Sequence, residues 1–231
     1  MMNHVRSILW KQLKDTLKNT AILIQFLMFP CMTIIMETCV DIPNMQEHFF
    51  SNMFAVMYVG MAPLTAMSAI ISEEKEQNTL RVLQMYNVKA FEYFVGNAIY
   101  IISICMCGSL VIGIAGGYRG MDLLRFMVIM LIGHVISMFA GAAIGAGCKN
   151  QMVATSLSVP IMMVGAFLPM LSTFNHTIEK VAKYIYSEQL YLILNRQGAT
   201  IIRVDTLVIV LINIIVIATC FSTAYRHVFS D

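Results

Sequence analysis

The sequence predicts an all-α integral membrane protein with six transmembrane helices, an N-terminal interfacial helix and a short external helical region before the last span. Three observations predict it. Hydrophobic residues fill 58% of the 231 positions and charged residues only 12%, against roughly 25% charged in a soluble domain. Mean hydropathy is +0.75, so the chain carries more apolar surface than one water-facing globule can hide. Six stretches are long enough, at about 20 helical residues, to cross a bilayer core of about 30 Å. Barrel strands would be shorter and would alternate in polarity.

The elements follow in chain order as one transmembrane domain, 1–231. In 1–20, Val5, Leu9, Leu13 and Leu17 recur every four residues with Ile8 beside them, while Lys11, Lys14 and Lys18 recur on another face. That pattern suits a helix in the headgroup layer anchored by Trp10; the alternative is a charged flank that fixes topology. The spans are 21–40, 53–71, 94–115, 126–146, 152–171 and 207–224. The first has a long apolar core and no small-residue cleavage site after it, so it reads as a span and not a cleaved signal. Pro160 and Pro169 should bend the fifth. Between spans five and six, 172–206 holds Ile178, Val181, Ile185 and Tyr186 at helical spacing, which predicts a short external helix or re-entrant pair. Tyr184, Tyr186 and Tyr191 suit a membrane interface.

Lysine and arginine orient the chain. Arg6, Lys11, Lys14 and Lys18 precede the first span, 41–52 contains no Lys or Arg, and Lys75, Arg81 and Lys89 follow the second span. The positive-inside rule then puts the N-terminus and 72–93 in the cytoplasm. An even number of spans brings the C-terminus to the same side, as expected of a multi-pass protein of the plasma (cytoplasmic) membrane.

Small residues predict how the spans associate. Gly133, Ser137, Gly141 and Gly145 stand four apart, as do Ser109, Gly113 and Gly117. Each set forms one groove on a helix, and close van der Waals contact through such grooves is what holds helices together in lipid. Whether the partner helix lies in the same chain or in a second copy is not fixed by spacing.

Catalytic motifs are missing. Gly145, Gly147, Cys148 and Lys149 come nearest to a phosphate-binding loop but lack its closing glycine–lysine–hydroxyl triplet. Glu73–Glu74 resembles the glutamate pair of membrane-embedded CAAX-type proteases, yet Asn78 stands where their arginine would be. There is no His-Glu-x-x-His. The six cysteines, Cys31, Cys39, Cys105, Cys107, Cys148 and Cys220, show neither a paired framework nor metal-ligand spacing. No enzyme, cofactor or metal site is expected in this chain, and a net charge of +2 gives no reason to expect a nucleic-acid partner. Within or beside the spans, Glu37, His134 and Asn213 are the polar groups to consider as pathway or helix-to-helix contacts. The 20 methionines suit either apolar filling or an adaptable ligand surface.

The polar connection 72–93 is the feature that bears on function. Glu73, Glu74, Lys75 and Glu76 open it, and Thr79 to Tyr86 spans about two helical turns with Leu80, Leu83 and Tyr86 along one ridge. Asn78 can cap the start of that helix and Asn87 its end. Such a helix can dock in a groove on a soluble partner; the alternative is an ordinary polar loop. The segment resembles the first cytoplasmic loop of the membrane subunits of ABC exporters of the type-2 permease class. Their loop reads approximately Glu-Arg/Lys-Glu-x-Gly-Thr-Leu-Glu-x-Leu, then a proline, then Glu-x-x-x-Gly-Lys. Glu74, Lys75, Glu76, Thr79, Leu80, Leu83, Glu92 and Gly96 match without a gap; Asn78, Arg81, Asn87 and Asn97 depart from it.

The resemblance implies a half-transporter. Two permease copies, identical or close paralogues, would pair, and two soluble ATP-binding subunits holding ATP and magnesium would attach below. Thr79–Tyr86 would be the coupling helix, and Glu73, Glu74 and Glu76 would relay closure of the ATPase to the spans. Substrate would pass between the permeases. Two readings stand against it: a non-transporting immunity or scaffold protein using the external region, and a secondary carrier driven by an ion gradient.

Overall fold

The computed structural model of the protein describes residues 2–40, 47–79, 85, 90–195 and 204–229. Nine helices run through them: α1 (Met2–Lys18), α2 (Thr20–Cys39), α3 (Phe49–Glu76), α4 (Ala90–Ala115), α5 (Gly120–Gly147), α6 (Gln151–Phe174), α7 (His176–Ala182), α8 (Tyr186–Asn195) and α9 (Val204–Phe229). Among the described residues no strand occurs. Six helices, α2 to α6 and α9, are long and apolar enough to cross a membrane, so the chain is an all-α, multi-pass membrane protein.

Helix α3 is the axis of the bundle. Its apolar window is 83% buried inside the protein, whereas none of the α9 window is. The cause lies in side-chain size. α3 carries Ala55, Gly60, Ala62, Ala66 and Ser68 among its larger residues, and α5 brings its glycine stripe against it. A Cβ added at Gly133 would lie 2.7 Å from Val59 Cγ1, at Gly141 it would strike the Leu64 carbonyl, and at Gly145 it would lie 2.8 Å from the Ser68 carbonyl oxygen. At Gly141 and Gly145 backbone thus meets backbone, the close approach that dispersion forces need in lipid. On another side of α3, a Cβ at Gly60 would lie 2.6 Å from the Gly165 backbone of α6. The stripe on α5 therefore has its partner within the same chain.

The outer helices expose apolar faces. Ile24, Leu27, Ile35, Leu211, Ile215 and Val216 on α2 and α9 are all open, as suits helices bathed in lipid. Helix α1 has two characters. Trp10, Leu13 and Leu17 are exposed, with the Lys14 ammonium 5.2 Å from the Trp10 ring centre, a face suited to headgroups. Its other face packs on the start of α4: Ile8 would be 2.9 Å from a Cβ at Gly96, and Gln12 and Thr16 are buried.

Asparagines start three helices. Asn19, Asn150 and Asn175 accept from Ile22 N, Val153 N and Thr177 N at 3.4, 2.9 and 2.8 Å and so cap α2, α6 and α7. Gly117 lies past the end of α4 in a left-handed turn (φ +83°), exposed, with only the His48 ring among the described residues within reach of an added Cβ. It ends a helix and does not extend the Ser109–Gly113 packing groove. The reason is that the backbone reverses into α5 at Gly117, where glycine alone pays no Cβ penalty.

Candidate functional site

The acidic run lies on α3 and not in a loop, because α3 continues to Glu76. Its last turn reaches three other helices with three consecutive side chains. Glu74 Oε1 accepts from Lys11 Nζ at 2.5 Å and from Gln12 Nε2 at 2.9 Å, both on α1. Lys75 Nζ donates to the carbonyls of Ala146 and Cys148, both at 2.9 Å, at the C-terminal end of α5. Glu76 Oε2 accepts from the backbone N–H of Gln151 at 2.9 Å, the first residue of α6. Each sign is electrostatically correct. The end of a helix carries unpaired carbonyls and favours a cation; the start carries unpaired N–H groups and favours an anion. The Glu-Lys-Glu alternation thus matches the α3 end to one helix terminus of each polarity.

Glu73 lies one position earlier and turns away, accepting from Gln77 Nε2 at 3.1 Å. Asn78 takes a left-handed conformation (φ +55°) just beyond α3, and Thr79 follows in helical geometry. Leu80, Leu83 and Tyr86 of the expected coupling ridge lie outside the described residues. Next to the joint, the Glu74 carboxylate, the Tyr93 hydroxyl and the Asn97 amide are buried beside one another. An open cavity of about 620 Å³ lies between α1, the start of α2 and the end of α3, lined by Lys11, Asp15, Asn19, Glu73 and Glu74 among others.

Glu74 is buried while Lys11 is nearly half exposed. Lys11→Met would strand a buried carboxylate, and we expect it to lower stability by about 1–2 kcal/mol. Lys11→Met combined with Glu74→Gln should recover most of that loss. Thermal melting of the purified protein in detergent reads both.

The other polar groups picked out in the sequence make contacts between elements. Glu37 Oε1 accepts from Ser51 N at 2.9 Å and so caps the first turn of α3. His134 is fully buried with its Nε2 2.8 Å from Ser109 Oγ, which ties α5 to α4. Gly113 packs on Leu123 and Phe126 of α5. Asn213 Nδ2 donates to the Tyr184 carbonyl at 2.9 Å and joins α9 to the turn between α7 and α8.

A second polar network occupies the opposite end of the bundle. Asn52 Nδ2 donates to Asn195 Oδ1 at 2.9 Å, and Tyr118 Oη donates to Asn52 Oδ1 at 2.6 Å. His48 stacks on Tyr118 with ring centres 4.2 Å apart. Burial pushes the Tyr118 phenol up to about 12, so it remains a hydrogen-bond donor. Glu188 on α8 is buried, accepts from Ser172 Oγ at 2.8 Å, and has its carboxyl raised by burial. Sequence reasoning did not find this network; the residues are far apart in the chain and share no motif.

The family model for ABC-2 type transporters matches residues 3–186, which run from α1 to the first residue of α8. The chain belongs to the ABC-2 type transporter family. It is therefore a permease subunit of an ABC transporter, one of a family whose members work with an ATP-binding subunit. No curated protein matches the chain. Within the ABC-2 match lie α1, the charged turn of α3 and the ends of α5 and α6 that this turn holds.

Proposed function

We propose that this permease is the membrane half of an ATP-driven exporter and that force enters it at the charged turn of α3. The observation that carries this is the joint itself: Glu74, Lys75 and Glu76 connect the most buried helix to α1, α5 and α6 within one turn. A push on the segment after Thr79 would move the end of α3 and, through charged contacts, three more helices. The cytoplasmic end of α3 then passes the displacement to α5 chiefly through Lys75. This is a movement of packed elements between two arrangements.

In this reading the joint faces the cytoplasm, consistent with the lysines and arginines flanking it. Thr79–Tyr86 rests on a separate ATPase that binds ATP and magnesium. A second permease copy, identical or a close paralogue, completes the pathway, and substrate crosses between the two copies. The lipid-exposed faces of α2 and α9 leave ample apolar surface for that pairing.

The test uses the full chain expressed with its genomic neighbours. A subunit with a phosphate-binding loop is expected to copurify, and its ATPase rate should change when this chain is present. Leu83→Asp should leave membrane insertion intact and lose both effects. If the chain moves cargo into liposomes with no ATPase present, or Leu83→Asp retains full ATP-dependent transport, the proposal fails.

A further inference from the structure

Two prolines break the hydrogen-bond ladders of α3 and α6 at one crossing. Pro63 has no N–H, so the Val59 carbonyl, four residues earlier, loses its intrahelical donor. Ser137 Oγ on α5 lies 2.5 Å from that carbonyl oxygen and donates to it. A hydroxyl has one proton and a carbonyl only accepts. The Ser137 proton is therefore committed to Val59, and the contact between Ser137 Oγ and Tyr186 Oη must run from the tyrosine to the serine. Pro169 does the same to α6, freeing the carbonyl of Gly165. A Cβ at Gly60 would lie 2.7 Å from that Gly165 oxygen, and a Cβ at Gly165 would lie 3.8 Å from Tyr186 Oη. Both freed carbonyls, both glycines and the Tyr186 hydroxyl thus meet in one place. Val59, Ser137 and Tyr186 are all buried, so water does not compete for the freed Val59 carbonyl.

We propose that Ser137 and Tyr186 are positioning residues whose hydroxyls latch a hinge shared by α3 and α6, so that the hairpin α7–α8 sets the bend of the central helix. Proline and glycine are the ordinary sites of helix kinks, and here a proline-freed carbonyl of each helix lies at the same crossing. Tyr186 is the first residue of α8, and the α7–α8 turn is tied to α9 by Asn213. A shift of the hairpin therefore pulls on the latch. The consequence for transport rests on the proposed function above; the latch itself does not.

The test reads the latch without any transport assay. The chain contains three Val–Gly pairs, Val59–Gly60, Val95–Gly96 and Val164–Gly165. In full-length protein labelled with ¹³C-carbonyl valine and ¹⁵N-glycine in lipid bilayers, a solid-state NMR experiment that selects carbonyls bonded to ¹⁵N therefore gives three signals. Ser137→Ala should move the Val59 signal toward that of a weaker hydrogen bond and leave Val95 in place. Ser137→Thr should restore it, and Tyr186→Phe should move it in the same direction by less. Pro63→Ala returns an N–H to the Val59 carbonyl, so Ser137→Ala added to Pro63→Ala should no longer move the signal. A Val59 signal indifferent to Ser137→Ala, or equally sensitive in the Pro63→Ala background, overturns the latch. If Ser137→Ala alone cannot be recovered folded, the double variant should be; its failure as well counts against the proposal.

Discussion

Gly141→Leu should eliminate the folded bundle. The added side chain would meet the backbone of α3 at Leu64, and backbone cannot rotate aside as a flexible side chain does. Overpacking into deformable neighbours costs about 1–3 kcal/mol. Against backbone, over the main contact of the central helix, the cost should be at least about 3 kcal/mol, a large share of a net stability of roughly 5–15 kcal/mol. Gly147→Leu is the control. Gly147 is exposed, and among the described residues an added Cβ would have only the Ala224 side chain within reach, 3.9 Å away, so Gly147→Leu should melt within about 0.5 kcal/mol of the parent, as surface changes do. Size-exclusion profile and melting in detergent report both. Equal behaviour of the two variants would mean that α5 does not lie on α3 through its glycine stripe.

The second large effect belongs to Lys75. Lys75→Met removes the cation from the end of α5 and leaves the Ala146 and Cys148 carbonyls without that donor. Hydrogen bonds to charged groups contribute about 1.5–3 kcal/mol, and Lys75 makes two of them in one geometry. We expect a loss of about 2 kcal/mol in stability, visible as a lower melting temperature. The functional loss should be greater: the variant should insert and bind its ATPase, yet ATP hydrolysis should no longer drive transport, because α5 is released from the turn that moves it. Lys75→Arg keeps the charge and should recover part of both. A Lys75→Met protein with unchanged coupling would show that α5 follows α3 through packing alone.

The two effects differ in how far the sequence showed them. The glycine stripe on α5 was legible because helical period and small size are local properties, but its partner was not. Every span has similar hydropathy, from 1.8 to 2.5, and lipid tails are as apolar as leucine. Hydropathy therefore separates membrane from water and cannot separate a buried helix from a lipid-facing one. That α3 is the axis follows from its size pattern matched against two other helices, a pairwise fact. The charged run stood out for the same reason that charges are rare here. Its reach to α1, α5 and α6 did not, because Glu74, Lys75 and Glu76 contact residues 62 to 75 positions away, brought near only by the fold. Helix α1 illustrates a mixed case: its lysine face marked a membrane surface, whereas buried Gln12 and Thr16 read as ordinary polar positions until α4 lies beside them. Gly117 misled because a four-residue spacing continues past the helix end where the backbone has already turned. Pro63 was visible as a residue, but the Ser137 hydroxyl that serves its orphaned carbonyl is 78 positions from Val59.

The central claim is that ATP-driven movement enters at the charged end of α3. A photo-crosslinking amino acid at Gln77, exposed one residue beyond that turn, tests it most directly when compared with the same residue at Glu47, exposed at the opposite end just before α3 begins. Illumination of intact membranes should join Gln77, and not Glu47, to a protein whose peptides contain a phosphate-binding loop and whose yield changes on adding ATP. Capture of that ATPase from Glu47 alone, or from neither site in membranes that actively transport, would contradict the account.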